Sequence, residues 1–562
     1  MRTGDFLAGV PVLAGLSDEL LERLAAEVTE IGIRAGHWVL REGEPAHSMF
    51  IVASGRVAVL DEGPPEALLR TLRRGDVLGE LALLREGVRS ASARALRDTQ
   101  LLELGRESFE RLIETAPGFA LGLTRTLGAQ LAASRTPVAV STPPRTIAVI
   151  GLDPGVAVHE VATALADELE RHGTVARLQD GELETLHQAE ADRDRLVLWP
   201  GADADEEWLE LCVHESDLIV ALTRGQPDPK WLSRATALEG CEQLVLGRTR
   251  AIPDLKPRQL QVVSDSAQVP AALAALARRL AGRSLGVVLS GGGARALAHI
   301  GVLDELRAAG LQIDRIGGVS LGALVAAAVA GGTPQEEMYV AAQRYFVDSS
   351  PSTDFVPPVY SILRGSKTRR LLREFFGDRR IEELPRRFFC MSCDLIAREP
   401  VLHRTGPIVD AVYPSLAIPA IFPPAVTADG RLLVDGGVLD NLPVAEMART
   451  GEGPVIAVDV TARGGRDRHS GRGLAARVES PLRRVLTGSD GEIPRLTETM
   501  IRTMLVGSAD VTLTARQHAD LVITPAVDGV GLMEWKALPT VRELGRRAAR
   551  EALAAANGAV WR

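Results

Sequence analysis

Cysteine is scarce in this chain: Cys212, Cys241, Cys390 and Cys393 are all there is in 562 residues. They are too few and too scattered for a disulfide framework, which points to a reducing compartment. No apolar run reaches the roughly 18–20 residues that a membrane-spanning helix needs. The N-terminus lacks a basic stretch followed by an apolar segment and a small-residue cleavage site, so no secretory leader is expected. There is no excess of positive charge either. A net charge of −9 argues against a chain built mainly to hold nucleic acid. Lysine is nearly missing, the basic residues being almost all arginine, and we attach no function to that. What remains is 46% hydrophobic and 24% charged, the balance of an ordinary soluble protein. At roughly 100–200 residues per domain, the chain has material for three or four domains.

Residues 1–135 read as short strands followed by helix. "SDELLERLAAEV" has a helical apolar period with Ser17 as its N-cap. The extended runs "HWVLREGE", "SMFIVASGRVAVLD" and "ALLRTLRRGDVLG" are punctuated by Gly36, Gly43, Gly55 and Gly75 and predict a small β-barrel or jelly roll. "ESFERLIETAPGFALGLTRTLGAQLAAS" closes the segment as one or two helices. The stretch 136–145, rich in Pro, Ser and Thr, reads as an exposed linker. Residues 146–283 alternate strand and helix, the pattern of a parallel α/β sheet. A second α/β domain spans 284–460, and 461–562 form an extension expected to pack on it. The expected fold class is therefore multidomain α/β behind an N-terminal β-barrel or jelly roll.

Three features of 284–460 carry chemistry. Ser290-Gly291-Gly292-Gly293-Ala294-Arg295 follows the buried-type strand 285–289 and opens a helix. Three glycines let consecutive N–H groups turn toward one point at the positive end of a helix, making an anion nest. A plain strand–helix turn and a phosphate-binding loop are the alternatives, the latter without the Gly-Lys-Ser/Thr ending of a P-loop. Gly318-Val319-Ser320-Leu321-Gly322 allows a sharp strand-to-helix turn that lifts a hydroxyl clear of the sheet. That five-residue pattern also arises by chance in a glycine-rich chain. One helix separates the two features, so a right-handed βαβ unit brings both strand ends to one sheet edge. A carbonyl touching Ser320 can then face the amides of Gly292 and Gly293. Asp435-Gly436-Gly437, after "RLLV", adds a carboxylate at another strand end, with an Asp-Gly hairpin turn as the competing reading. No histidine stands where a hydrolase triad has one; His299 reads as packed core, and His403 and His518 carry no motif. A Ser–Asp dyad is the economical reading, the carboxylate taking the serine proton and returning it to the leaving group.

The order GGGAR, GVSLG, DGG over about residues 284–460 resembles the patatin-like phospholipase family, and "SLAIPAIFPPAV" (415–426) is similar to a further stretch of it. The resemblance implies hydrolysis of lipid acyl esters, with Ser320 as nucleophile and Asp435 as base. It implies an oxyanion hole at the Gly291, Gly292 and Gly293 amides, Arg295 stabilising that loop, and Gly318 and Gly322 framing the elbow. The chain departs from the family at Ser290, where a fourth glycine is common, and at Ala296, where glycine usually follows the basic residue. Tyr413-Pro414 replaces the usual Arg-Ala.

"GHWVLREGEPAHSMFIVASGRVAV" and "LGELALLREGVRSASARAL" make residues 36–97 resemble a cyclic-nucleotide-binding domain. The short helix beginning near Gly79 points N–H groups at a cyclic phosphate. Arg89 offers that phosphate a bidentate cation, Ser90 offers a hydroxyl, and Glu80 accepts from the ribose 2′-hydroxyl. A barrel that has lost its ligand is the competing reading, and nothing in the sequence chooses between cAMP and cGMP. "GLDPGVAVHE" (151–160) stands where a nucleotide-binding α/β domain carries its phosphate loop, without the lysine or the dinucleotide glycine spacing, so 146–283 reads as a non-catalytic spacer.

Cyclic-nucleotide module, spacer and patatin-like domain in this order resemble the bacterial relatives of neuropathy target esterase. The resemblance implies a lysophospholipase-type serine esterase acting on phospholipid or lysophospholipid. It is expected in the cytoplasm, with a peripheral place on the inner face of the membrane as a further expectation. Cyclic nucleotide is the expected allosteric ligand; no cofactor, metal or nucleic acid is called for, and the oligomeric state stays open. The rival is a cyclic-nucleotide-sensing scaffold with a dormant hydrolase domain. The single CxxC at Cys390 and Cys393 reads as core. Arginine clusters at 364–373 and 379–387 alternate with Leu and Phe and read as amphipathic helix surface, with attraction to anionic headgroups as the other reading.

Overall fold

The computed structural model describes residues 3–134, 143–461 and 500–556, apart from positions 35, 62–66, 73, 86, 97–98, 202–205, 234–237, 239, 248–254, 350–352, 501–502 and 505. The linker expected at 136–145 falls largely outside them.

The short N-terminal strands form two four-stranded sheets with antiparallel pairing throughout. One runs Thr29–Ile33, Thr99–Gly105, Ser48–Ser54, Val77–Leu78; the other runs Trp38–Leu40, Ser92–Ala95, Val57–Asp61, Ala67–Leu72. Successive side chains of a strand point to opposite faces. Along Ser48–Ser54, Phe50 and Val52 therefore enter the core between the sheets, while Met49 and Ile51 pack beneath the helices. Two helices, Arg106–Thr115 and Pro117–Ser134, close this jelly roll. Ser17 does stand at the start of the helix Asp18–Glu27 with extended backbone, but its hydroxyl makes no capping bond.

The middle domain is a six-stranded, wholly parallel sheet. Its strand order is Val175–Leu178, Arg195–Leu198, Thr146–Gly151, Leu218–Thr223, Glu242–Leu246, Gln259–Val263. Its ties to the neighbouring domains include ion pairs. Arg56 of the jelly roll reaches Asp217 at 3.2 Å. On the other side, Arg279 lies 3.0 Å from Glu242 and 3.5 Å from Glu452, and Arg387 also pairs with Glu452. Burial works to raise the Glu452 carboxyl, yet Arg387, Arg279 and Arg315 hold it down at about 2.

The third domain is an eight-stranded mixed sheet. Its parallel centre is Arg387–Asp394, Ile313–Val319, Leu285–Leu289, Val455–Val458 and Leu521–Ile523. The last of these belongs to the C-terminal extension, which thus completes the sheet. The extension's long helix, Leu538–Ala556, lies on the helix Ala298–Ala308. Their contact requires glycine on both sides. A Cβ on Gly301 would stand 1.8 Å from the Arg542 carbonyl oxygen, and one on Gly545 would stand 2.1 Å from that of Ala298. Asp304 fixes the pair, receiving Arg542 and Arg546 at 2.8 Å each.

The second arginine cluster does not form a helix surface. Arg386 donates to the carbonyls of Ile313 and Val329, and Arg387 is occupied with Glu452, so both knit the sheet to its surroundings. All four cysteines are buried free thiols, and burial pushes Cys212 and Cys241 up to about 12.

Candidate active site

Ser320 follows the strand Ile313–Val319 and starts the helix Leu321–Ala330. Its φ of 55° and ψ of −131° form a strained turn for a residue with a side chain. Neighbouring glycines permit it. A Cβ on Gly318 would lie 2.7 Å from the Leu289 carbonyl oxygen, and one on Gly322 would lie 2.5 Å from those of Leu289 and Ser290. The turn is also held from a distance. Ser320 N donates to Ser415 Oγ at 2.9 Å, and Ser415 Oγ donates to the Met391 carbonyl at 2.7 Å. Ser415 opens the "SLAIPAIFPPAV" stretch, but its grip on the elbow has no signature in the sequence.

Asp435 arrives by strand register. Val319 lies beside Met391 in the parallel pair, and the next residue, Ser392, lies opposite Asp435 across the antiparallel pair. The carboxylate is thereby level with the serine that follows Val319. Asp435 is fully buried, and burial lifts its pKa to about 7 against the opposing pull of the Ser320 hydroxyl and the Gly437 amide. Gly437 N donates to Oδ1 at 2.8 Å. Oδ2 meets no donor at normal hydrogen-bond geometry, so its contact with the Ser320 hydroxyl is loose.

The glycine loop packs directly on the serine: a Cβ on Gly291 would be 3.0 Å from Ser320 Cβ. Of the three amides expected to face an oxyanion, that of Gly291 is committed elsewhere. It donates to the Asn441 carbonyl at 3.3 Å, while Asn441 Nδ2 donates back to the Gly291 carbonyl at 3.3 Å. The backbone of the loop therefore leaves Gly292 and Gly293. Gly293, at φ +53°, lies against the C-terminal extension, where a Cβ would meet the Leu532 carbonyl oxygen at 2.2 Å. Ala294 N donates to that same oxygen at 2.8 Å. Arg295 reaches away from the nest and donates to the carbonyls of Val530 at 2.6 Å and Asp528 at 3.3 Å.

At the departure from the family pattern, the Ser290 hydroxyl accepts the Val460 N–H at 3.0 Å and ties the loop to the next strand end. His299 Nε2 is 2.8 Å from the Ser290 carbonyl. A carbonyl only accepts, so Nε2 carries the proton. Burial pushes the His299 pKa down to about 4, leaving the ring neutral. His403 bonds to Ser392 Oγ at 2.8 Å, and neither imidazole lines the cavity described next.

Ser320 and Gly293 open on a cavity of about 130 Å³. Its walls are apolar: Leu324 and Val325 of the elbow helix, Leu371, Leu372 and Phe375 of the helix Ser366–Phe376, and Met533 and Trp535 of the extension. The arrangement offers a hydroxyl, a carboxyl whose pKa burial raises, and two amides at the end of an oily slot. Tyr413, at the Tyr-Pro departure, is buried near this wall with the Arg369 guanidinium 4.2 Å over its ring.

In the jelly roll, Gly79 precedes the helix Glu80–Leu84 with φ 84°, and Glu80 and Arg89 are both buried while Ser90 is exposed. Arg89 donates to the Gly79 carbonyl at 3.0 Å and stands over Phe50, and burial lowers its pKa. In the middle domain, Asp153 lies in the loop after the first strand. Its carboxylate accepts from Thr223 Oγ1 at 2.8 Å and from the amides of Arg224 and Gln226. This loop therefore brings its own negative charge to the donors that a phosphate would need.

Residues 287–448 match the family model described as Patatin-like phospholipase, and residues 30–116 match that of the Cyclic nucleotide-binding domain. The chain is 36% identical to an uncharacterised NTE family protein of Mycobacterium tuberculosis, over 98% of this chain and 96% of that one. It is 25% identical to the lysophospholipase NTE1 of Coccidioides immitis, over 93% of this chain and 40% of that one. Among solved structures, the regulatory domain of Toxoplasma gondii PKA with cAMP is 26% identical, covering 23% of this chain and 49% of that one at a TM-score of 0.21.

Proposed function

We propose that this chain, which belongs to the NTE family and carries a patatin-like phospholipase domain, is a lysophospholipase-type serine esterase that works through a Ser320–Asp435 dyad. The supporting observation is a buried carboxyl, its pKa raised to about 7, beside a strained serine at the end of an apolar slot. A base with that pKa can take the serine proton at neutral pH and return it to the leaving alcohol. Ser320 Oγ attacks the ester carbonyl, the developing oxyanion meets the Gly292 and Gly293 amides, and the acyl chain lies along Leu324, Leu372 and Phe375. Water activated by Asp435 then clears the acyl-enzyme. The substrates are phospholipids or lysophospholipids, reached by a cytoplasmic enzyme at a membrane surface. Among the described residues, no helix is long and apolar enough to cross a membrane.

Control comes from the jelly roll, where a cyclic nucleotide would take Arg89 from the Gly79 carbonyl and offer its ribose to Glu80. The test of the chemistry is Ser320→Ala. It is expected to abolish hydrolysis of p-nitrophenyl butyrate and labelling by a fluorophosphonate, with an unchanged circular dichroism spectrum. Undiminished turnover would place the nucleophile elsewhere. A wild-type chain that resists the label would favour the dormant-scaffold reading.

A further inference from the structure

We propose that the hairpin 354–363 and the basic face of the helix Ser366–Phe376 form a docking surface that seats the enzyme on an anionic lipid bilayer beside its acyl slot. The inference rests on the lipid-hydrolase reading and adds where the bilayer touches.

Phe355, Val359 and Tyr360 are 69%, 75% and 85% exposed, three large apolar or aromatic side chains on one short hairpin. The hairpin is firmly built. Val356 N donates to the Ile362 carbonyl at 3.0 Å and Arg364 N to that of Asp354 at 2.9 Å. Asp354 Oδ2 accepts the Lys367 amide at 3.1 Å, and Lys367 Nζ reaches the Ser349 carbonyl and Thr353 Oγ1 at 2.6 and 2.7 Å. The exposed side chains thus project from a fixed base.

That base is part of the slot. Ile362 N and Leu363 N donate to the carbonyls of Ala420 and Ile421 at 2.9 Å each, and Ile418, Ile421 and Phe422 line the cavity. The helix that follows has Leu371, Leu372 and Phe375 in the cavity wall, while Arg370 and Arg373 are exposed.

Charge selects the occupant. The whole chain carries −9, but between Tyr339 and Phe376 six basic residues (Arg344, Arg364, Lys367, Arg369, Arg370, Arg373) stand against three acidic ones, Asp348, Asp354 and Glu374. Arg370 meets Glu374 only at 3.7 Å, with both side chains exposed. Exposed apolar side chains on the hairpin, followed by a helix with exposed arginines, match the boundary of an anionic bilayer, where rings enter the acyl region and arginines lie level with the phosphates.

The test uses the full chain and flotation with phosphatidylcholine vesicles, with and without phosphatidylglycerol. Wild type is expected to float with the anionic vesicles, and Ser320→Ala to float equally well. The triple variant Phe355→Asp, Val359→Asp, Tyr360→Asp should lose about tenfold or more in association, because inserted apolar area supplies much of interfacial binding. Arg370→Glu with Arg373→Glu should lose the preference for anionic vesicles. Both variants should hydrolyse soluble p-nitrophenyl butyrate at the wild-type rate while hydrolysis of vesicle-borne lysophospholipid falls with flotation. A wild type that does not float, or a triple variant that floats as well as wild type, overturns the proposal. A wild type that floats through this hairpin yet cleaves no ester leaves the docking surface standing and removes the hydrolase reading.

Discussion

The two candidate sites of this chain both bury charged side chains, and they are built in opposite ways. In the jelly roll, Gly79, Glu80, Arg89 and Ser90 come from one short stretch, and Arg89 is tied back to that stretch by a hydrogen bond to Gly79. In the hydrolase domain, Ser320 is held by Ser415, the glycine loop by Asn441, Val460 and Leu532, and Asp435 by a strand register. A single hydrogen bond is worth on the order of 1–3 kcal/mol, within reach of an incoming anion. Several anchors from distant segments cannot be shifted one at a time. The first site is suited to switching, the second to holding a geometry that catalysis needs in advance.

The largest effect should come from removing the charge that the rigid site strains to hold. Asp435→Asn is expected to lower kcat by roughly 10²–10⁴-fold, the usual contribution of a general base. In the wild type, kcat/KM should rise with pH through a midpoint near 7, where the carboxyl ionises. Stability should move the other way. The folded state holds the Asp435 proton up to about 7 and the unfolded chain only to about 4, so stability falls as pH rises across that window. Asparagine avoids this loss and should raise Tm at pH 8. A lower Tm for Asp435→Asn at pH 8 would show that the carboxylate is not strained in the fold.

A smaller effect probes the anchoring of the loop. Gly293→Ala places a methyl 2.2 Å from the Leu532 carbonyl oxygen and should cost about 10²–10³-fold in kcat, as loss of an oxyanion donor does, with KM little changed. Gly310→Ala is the control. It has a similar positive φ of +74° but opens on empty space, so it should keep the wild-type rate. Equal damage from both would trace the loss to backbone strain rather than to the contact with the extension.

The smallest effect on catalysis should come from the switchable site. Arg89→Ala should leave hydrolysis without nucleotide unchanged and abolish the nucleotide response, which in allosteric proteins is about 5–150-fold. Calorimetry with cAMP and cGMP checks the binding half. Unaltered affinity in Arg89→Ala would put the ligand elsewhere and erase the contrast between the two sites.

Much of this architecture is legible before any coordinates. Period-2 strands between glycines announce the jelly roll, alternating strand and helix announce the parallel sheet, and the glycines around Ser320 announce a tight elbow. Less visible are the residues that make the elbow work. Ser415 and Asn441 act through side-chain hydrogen bonds to backbone far along the chain, and no local pattern marks such a contact. The commitment of Gly291 to Asn441 is hidden for the same reason, since the three glycines look equivalent in sequence. That the C-terminal extension packs on the hydrolase domain is legible as an expectation, but its hold on the glycine loop through the Leu532 carbonyl and the close fit of Gly301 and Gly545 are not.

By itself the sequence determined the order of the three units and which residue types can do chemistry, because turns, periodicities and short motifs are properties of neighbouring residues. Tertiary structure alone decided which amides stay free, how the Asp435 carboxylate comes level with the serine, and that Arg295 is held by a carbonyl 235 residues away. Those outcomes depend on register and packing between segments whose separation along the chain carries no information about their distance in space.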